Sequence, residues 1–369
     1  MNFNQLFTSE SLIEALRTMG IITPTDIQEK AIQPIMENKD VIAEAVTGSG
    51  KTLAYLLPAF LRIDTDSKDV HTLVLAPSHE LALQINEVAK QLEAKSNEGI
   101  RSIAIIGNVN IKRQLEALKT KPHVIIGTPG RILELIKMKK LKAHTVKTIV
   151  IDEADKLLSK DNSRVVNDII KTTLRDCQLV AVSASLKPAS LNLAQKIMKD
   201  PVIFSLTELK SNTDIEHFII ESTQRDKIKF LRKLIAAENP KKAIVFLNRN
   251  EHIQEINDRL NYHSIPSTCI FGSAKKSERK KALDTFRSGK SRVLIASDLM
   301  ARGLDFEGVS HIIHLDLPDN TDEYIHRSGR TGRAGQSGTS IAIVTPSELK
   351  HLSAIQRKNN FTYQTYRFK

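Results

Sequence analysis

Short apolar, β-branched runs recur along this chain, separated by helix-length amphipathic stretches. That alternation limits its fold more than any other feature. The runs fall in two series. His71–Pro77, Arg101–Gly107, His123–Pro129, Thr148–Asp152 and Gln178–Ser183 make the first. Lys242–Asn248, Ser267–Gly272, Arg292–Asp298, His311–Leu317 and Gly338–Thr345 make the second. Runs that are apolar throughout, and not at every other position, belong to strands covered on both faces. Strands alternating with helices build parallel α/β units. The polar stretch Ser205–Glu216 lies between the series and reads as a linker. A chain of 369 residues has room for two domains of roughly 100–200 residues each. No repeat of solenoid period is present, and the sequence leaves open whether the halves share one fold.

Composition removes several functional classes. Hydrophobic residues make up 41% and charged residues 26%, which excludes disordered and fibrous chains. No window approaches the roughly 20 apolar residues of a membrane span. Met1-Asn2-Phe3-Asn4-Gln5 has no basic start and no apolar core after it, so no signal peptide is expected. Cys177 and Cys269 are the only cysteines, too few for a disulfide framework or a cysteine-based metal site, and they read as buried thiols. A cytoplasmic protein is expected. Lys and Arg number 54 against 42 Asp and Glu, a net charge of +12. Residues 1–215 account for +3 of it and residues 216–369 for +9. Such an excess suits a polyanionic partner.

Ala45–Thr52 reads AVTGSGKT, after the apolar Val41-Ile42 and before a helical stretch. This is the pattern of a phosphate-binding loop, with Ala45 where the strict pattern has Gly. Thr47, Gly48, Ser49 and Gly50 would turn backbone N–H groups toward a phosphate. Lys51 would reach the β- and γ-phosphates, and the Thr52 hydroxyl would bind Mg²⁺. The next helix aims its N-terminus at the same anion. Further on, the strand-like VIDEADKL delivers Asp152 and Glu153 at its C-terminal end, the edge where open α/β sheets bind ligands. One carboxylate can hold Mg²⁺, and Asp152 is the candidate. The other, Glu153, can orient and activate the attacking water. Acids in the first turn of a helix are also common without any catalytic role. Lys51 tips the balance to the catalytic reading.

With these residues in place, Asp152-Glu153-Ala154-Asp155 resembles the signature of the DEAD-box ATP-dependent RNA helicases. The rest of that family's motifs follow in order over nearly the whole chain. Gly20–Gln28 (GIITPTDIQ) is similar to the glutamine motif that reads adenine, with Phe3 matching its upstream aromatic. Gln28 offers both donor and acceptor to adenine, and Thr23 belongs to the same motif. Ala76–Gln84 (APSHELALQ), Gly107 and Thr128-Pro129-Gly130-Arg131 resemble RNA-contacting motifs of the first domain. Ser183-Ala184-Ser185 resembles the motif that couples nucleotide state to unwinding. Val245–Asn248, Ser297–Asp305 and His326–Arg333 resemble the fourth, fifth and sixth motifs.

The resemblance implies two RecA-like parallel-sheet domains in tandem. Residues 1–208 would bind ATP, with the glutamine motif at 1–29; residues 209–215 would link; residues 216–369 would form the second domain and a short tail. It implies Arg330 and Arg333 as fingers on the ATP phosphates, three apart and so on one face if that segment is helical. It implies Asp305 on the ribose, and Asp155, Ser183, Ser185 and His326 as coupling residues. RNA would be held mostly by its backbone, whatever its sequence, at Ser78, His79, Gly107, Thr128, Gly130, Arg131, Asn248, Gly272, Arg279, Ser297 and Arg302. The expected activity is RNA-dependent ATP hydrolysis with local strand separation by a monomer. Ribosome assembly or cold adaptation, and ribosomal particles as partners, are the expected setting. An ATP-dependent RNA clamp that recruits partners and a DNA helicase are the rivals.

Several positions depart from the family pattern. His79 stands where Arg is usual, which removes a permanent charge near the RNA. Asn108 replaces a Gly, Ser185 a Thr, Phe271 a His and Lys276 a Gln. The basic run Lys137–Lys147 reads as a solvated helix end. The tail Asn359–Lys369 either docks on the second domain or reaches RNA.

Overall fold

Parallel strand pairing organises both halves of the chain. The computed structural model describes residues 2–46, 48–107, 109–160, 162–206, 215–248, 251–271, 274, 276–297, 306, 308–319, 321–332, 336–359 and 361–368. The chain divides into two compact units, Met1–Leu209 and Lys210–Lys369. Most of the expected linker, 209–215, lies outside the described residues; its last residue already opens a strand.

The first unit carries β1 (Val41–Glu44), β2 (Thr72–Leu75), β3 (Ser102–Ile105), β4 (Val124–Gly127), β5 (Thr148–Asp152), β6 (Gln178–Ser183) and β7 (Val202–Ser205), in the order β3-β4-β2-β5-β6-β1-β7. The second carries β8 (Ile215–Glu221), β9 (Ala243–Phe246), β10 (Ser267–Ile270), β11 (Val293–Ala296), β12 (His311–His314), β13 (Gly338–Val344) and β14 (Gln364–Thr365), in the order β10-β11-β9-β12-β13-β8-β14. Position for position the two orders are the same. The halves therefore share one winding, which the apolar runs alone had left open and the family resemblance implied. Every one of these strand pairs is parallel.

Side chains alternate across each sheet, and both faces are dry. In β5, Val150 enters one core while Ile149 and Ile151 enter the other. In β9, Val245 and Ile244 divide in the same way. Each such fully buried side chain contributes about 1.5–3 kcal/mol by leaving water, which is why these strands read as continuous apolar runs. The expected strands are all present. Those missing from the expected runs are β1, noted only as the apolar pair Val41-Ile42, and β7, β8 and β14. β7 is an edge strand with alternate residues exposed, and β14 is two residues long and exposed. β8 lay hidden at the end of the presumed linker.

Local signals set the helices that matter for the site. Thr25 and Gln28 form a capping box for helix Asp26–Met36. Ser78 caps helix His79–Ser96, and Asn97 closes it in the left-handed conformation. The basic run Lys137–Lys147 is the end of helix Pro129–Lys137 and a following turn. Its apolar Leu141, Ala143 and Val146 are buried, and most of its lysines are exposed. Both cysteines are free and half-buried, not fully buried as expected. Burial still pushes each thiol up to about 11. No helix among the described residues is long and apolar enough to cross a membrane.

Candidate nucleotide and RNA sites

The functional motifs of the first unit sit at the C-terminal ends of its strands. β1 runs into the phosphate loop, and helix Lys51–Leu61 leaves it. Gly48 and Gly50 both hold positive φ, 80° and 88°. At Gly50 a β-carbon would also lie 2.5 Å from Gln28 Nε2, so the turn admits only glycine. Lys51 Nζ donates to the carbonyls of Ala45 (2.6 Å) and Val46 (2.8 Å), which lays its charge across the loop. Ser49 Oγ is buried with no hydrogen-bond partner among the described residues. A buried hydroxyl, a cation and a glycine-turned backbone beside a helix N-terminus fit a polyphosphate. Thr47 lies outside the described residues.

Gln28 is 2% exposed and ties the glutamine motif to this loop. Its Oε1 accepts from Thr25 N at 3.0 Å, and its Nε2 donates to Gly50 O at 3.1 Å. One N–H and one lone pair of the amide remain for a base. Thr23 is exposed nearby in sequence. Phe3 is buried against Phe7, with ring centroids 6.0 Å apart, and packs in the core that includes Ile27. Its contribution is to hold the glutamine-bearing helix.

Asp152 and Glu153 separate as adjacent strand-end residues should. Asp152 points into the unit, where its Oδ2 accepts from Tyr55 Oη at 2.8 Å. Burial pushes its carboxyl up to about 6. The Tyr55 hydrogen bond opposes that, the Glu153 carboxylate adds to it, and the Lys51 charge opposes it. Tyr55 is hydrogen-bonded to Thr52 as well. One phenol thus joins the two residues expected to hold Mg²⁺, and the pair fits a hard divalent cation. Glu153 holds φ 50°, ψ 52°, in the left-handed region, and is half-buried. Its Oε2 meets Lys156 Nζ at 2.5 Å, one helical turn on. Tyr55 and Lys156 were missed from sequence. Their only signals were a tyrosine on a helix otherwise apolar there and a lysine three residues after the glutamate.

Asp155 and Ser183 are brought together: Ser183 Oγ donates to Asp155 Oδ1 at 2.5 Å and to the Ser185 carbonyl at 2.8 Å. This joins the acid-bearing turn after β5 to the end of β6.

The RNA candidates of the first unit lie at the ends of β2, β3 and β4. Ser78 Oγ caps its helix by accepting from Leu81 N at 3.2 Å. His79 lies close over Gly107, where a β-carbon would sit 3.1 Å from its Nε2. Thr128 Oγ1 accepts from Gly107 N at 3.3 Å. Gly130 faces open space. Arg131 instead serves its own unit. Its Nη1 donates to Val109 O and Gln114 Oε1, both at 3.1 Å, and its Nε pairs with Glu134 at 2.8 Å.

In the second unit, Asn248 Nδ2 donates to Leu317 O at 2.7 Å, and its Oδ1 accepts from Arg327 Nη2 at 2.8 Å. Arg327 is 1% exposed; it also donates to Asp316 O at 2.6 Å, and its guanidinium lies 5.1 Å from the centre of the Phe246 ring. Ser297 is buried at the end of β11. His326 lies on helix Thr321–Ser328, and Arg330 lies in the turn after it. Arg279 lies on helix Lys276–Arg287. Gly272, Arg302, Asp305 and Arg333 lie outside the described residues, as does Asn108.

A glycine-turned loop with its lysine, and a strand end that carries one buried and one half-buried acid, are the parts of a P-loop enzyme that hydrolyses nucleoside triphosphates. The family models agree. Residues 25–193 match the DEAD/DEAH box helicase model, and residues 226–335 match the helicase conserved C-terminal domain. The chain is 42% identical to the DEAD-box ATP-dependent RNA helicase CshC of Bacillus cereus, over 94% of this chain and 88% of that one. It is also 42% identical to the probable ATP-dependent RNA helicase YfmL of Bacillus subtilis, over 96% and 93%. Its fold is similar to that of Saccharomyces cerevisiae Dbp5 bound to RNA and ADP BeF3, with TM-score 0.89, 28% identity and coverage of 99% and 95%. A DEAD box protein of Methanococcus jannaschii matches with TM-score 0.61 at 32% identity, over 100% and 99%. The chain belongs to the DEAD-box ATP-dependent RNA helicase family.

Proposed function

We propose that this chain is an RNA-dependent ATPase that separates short RNA duplexes or remodels RNA–protein complexes. The observation that carries the reading is the Ser183–Asp155 hydrogen bond. It ties the turn bearing Glu153 to the end of β6, on the sheet edge where Ser78, Gly107 and Thr128 also lie.

On this reading Gly48, Gly50 and Lys51 hold the β- and γ-phosphates, and Gln28 selects adenine. Thr52 and Asp152 would hold Mg²⁺, which would supply positive charge to offset that of the phosphates. Glu153 orients the attacking water and takes its proton, with its carboxylate steadied by Lys156. Arg330 and Arg333 supply positive charge to the phosphoryl oxygens from the second unit. Asp305 contacts the ribose, and His326 couples nucleotide state to RNA. Residues 1–208 and 216–369 act as the two domains, joined by 209–215. Because ATP needs residues from both, hydrolysis depends on their approach, and RNA can gate it. Cytoplasmic action by a monomer, on ribosomal particles or cold-stabilised RNA, completes the proposal.

A second reading, an ATP-dependent RNA clamp, is favoured by His79, which lacks a permanent charge, and by Arg131 and Asn248, whose hydrogen bonds are made within their own units. Displacement of a labelled strand from a short RNA duplex separates the two. The helicase releases the strand only with ATP, whereas a clamp holds RNA with ATP and releases none.

A further inference from the structure

We propose that Phe361, carried by the C-terminal segment, is a positioning residue for the turn that presents Arg330. The inference rests on the reading of Arg330 as a phosphate ligand.

The segment is built into the sheet. β14 pairs with β8 in register, Gln364 opposite Phe218 and Thr365 opposite Ile219, and Tyr366 N donates to Ile219 O at 2.8 Å. It holds the place in the second sheet that β7 holds in the first. Tyr366 meets Phe218 edge-on, and Phe368 lies against Phe230. These contacts fix Phe361, which stands between helix Leu349–Asn359 and β14.

From Phe361 a column of rings runs into the unit. Phe361 lies parallel to Tyr324, 5.1 Å away at 4°, and 4.3 Å from His217. Tyr324 lies on His314, 4.3 Å away at 12°, and His314 faces Phe246 at 6.3 Å. Phe246 in turn carries the Arg327 guanidinium. Tyr324 and Arg327 are both on helix Thr321–Ser328, three residues apart, and each is 1% exposed. The column therefore grips this helix twice. The helix is only eight residues long, and Arg330 follows by one turn, its N–H bonded to Arg327 O at 3.0 Å. The next residues are pinned too: Thr331 Oγ1 donates to Val309 O at 2.6 Å. Stacked and offset ring pairs stabilise one another beyond their burial. Removing the outermost ring leaves the fold but frees Tyr324 on one face, so helix Thr321–Ser328 can tilt. An ångström of misplacement can cost ~10²-fold in rate.

The test uses the full chain and single-turnover phosphate release with saturating RNA. Phe361→Leu keeps an apolar side chain and removes the flat stack. It is expected to fold, to bind a fluorescent ATP analogue as the wild type does, and to lose about ten-fold in rate. Phe361→Tyr should restore the rate. In an Arg330→Ala background, Phe361→Leu should change the rate no further, because the residue acts through Arg330. A folded Phe361→Leu protein with the wild-type rate overturns the proposal, as does an equal fold-loss in both backgrounds. If Arg330→Ala alone keeps the wild-type rate, the reading of Arg330 falls instead, and that result is distinct from the first two.

Discussion

Tyr55 shows how a single side chain sets the character of the nucleotide site. Its hydroxyl is the donor to a buried carboxylate, and its other partner is the hydroxyl of Thr52. Tyr55→Phe leaves Asp152 Oδ2 without that donor. The expected loss is about 1–3 kcal/mol of stability, the usual cost of an unpaired buried acceptor, read as a lower melting temperature of the apo protein. Unchanged melting would show that the bond contributes nothing. His79 gives a second prediction at this scale. His79→Arg adds a permanent charge beside Gly107. Single-stranded RNA should bind several-fold tighter, with the log–log salt slope steeper by about 0.7 if one phosphate is gained. Titrations at several salt concentrations check it, and an unchanged slope places this residue away from the phosphates. The placement of Gln28 against the loop and of Asp152 and Glu153 at a strand end could be read from sequence, because motif spacing sets it. Tyr55 and Lys156 could not, since each acts through a contact that only the folded chain makes. Arg131 and Asn248 show the converse: their motif position was plain, but their hydrogen bonds turn inward.

Among the elements, edge strands were the hardest to read. A central strand such as β5 must be apolar on both faces, and its sequence says so. An edge strand such as β7 is half solvated, and β14 is held by two residues and by rings elsewhere in sequence. β8 also carries a pH-dependent contribution. Burial holds His217 down to about 4, below its ordinary 6.5. The unfolded chain therefore binds this proton first, and stability present above pH 6.5 is lost as pH falls toward 4. At pH 5 the loss is at most about 2 kcal/mol. His314, buried beneath Tyr324, shifts in the same direction. Asp152 in the first unit has the opposite sign, because its raised value lets the folded state keep a proton up to about 6. Comparison with a variant isolates the histidine: the fall in melting temperature from pH 7.5 to pH 5 should be smaller in His217→Phe than in the wild type. Equal falls would exclude His217 as a source.

At the scale of the whole chain, the two-sheet α/β fold was legible from the runs themselves, while its internal duplication was legible only through the family resemblance. The duplication lies in strand order, which no local pattern encodes. The net charge of +12 also changes meaning. Arg327 is buried on Phe246, Lys227 is buried against Glu348 at 2.8 Å, and Arg131 braces its own loop. Part of the basic excess is therefore structural and does not belong to RNA. What remains is an enzyme whose expected chemistry is divided between two units of one winding. That claim is tested most directly by RNA-stimulated phosphate release, measured side by side for the wild type, Lys51→Ala, Glu153→Gln and Arg330→Ala, each shown to be folded. Loss of more than about 100-fold in the first two and a large loss in the third are predicted, from the removal of a phosphate ligand, the water-orienting carboxylate and a phosphoryl-charge donor. Wild-type rates in Lys51→Ala or Glu153→Gln would contradict the account.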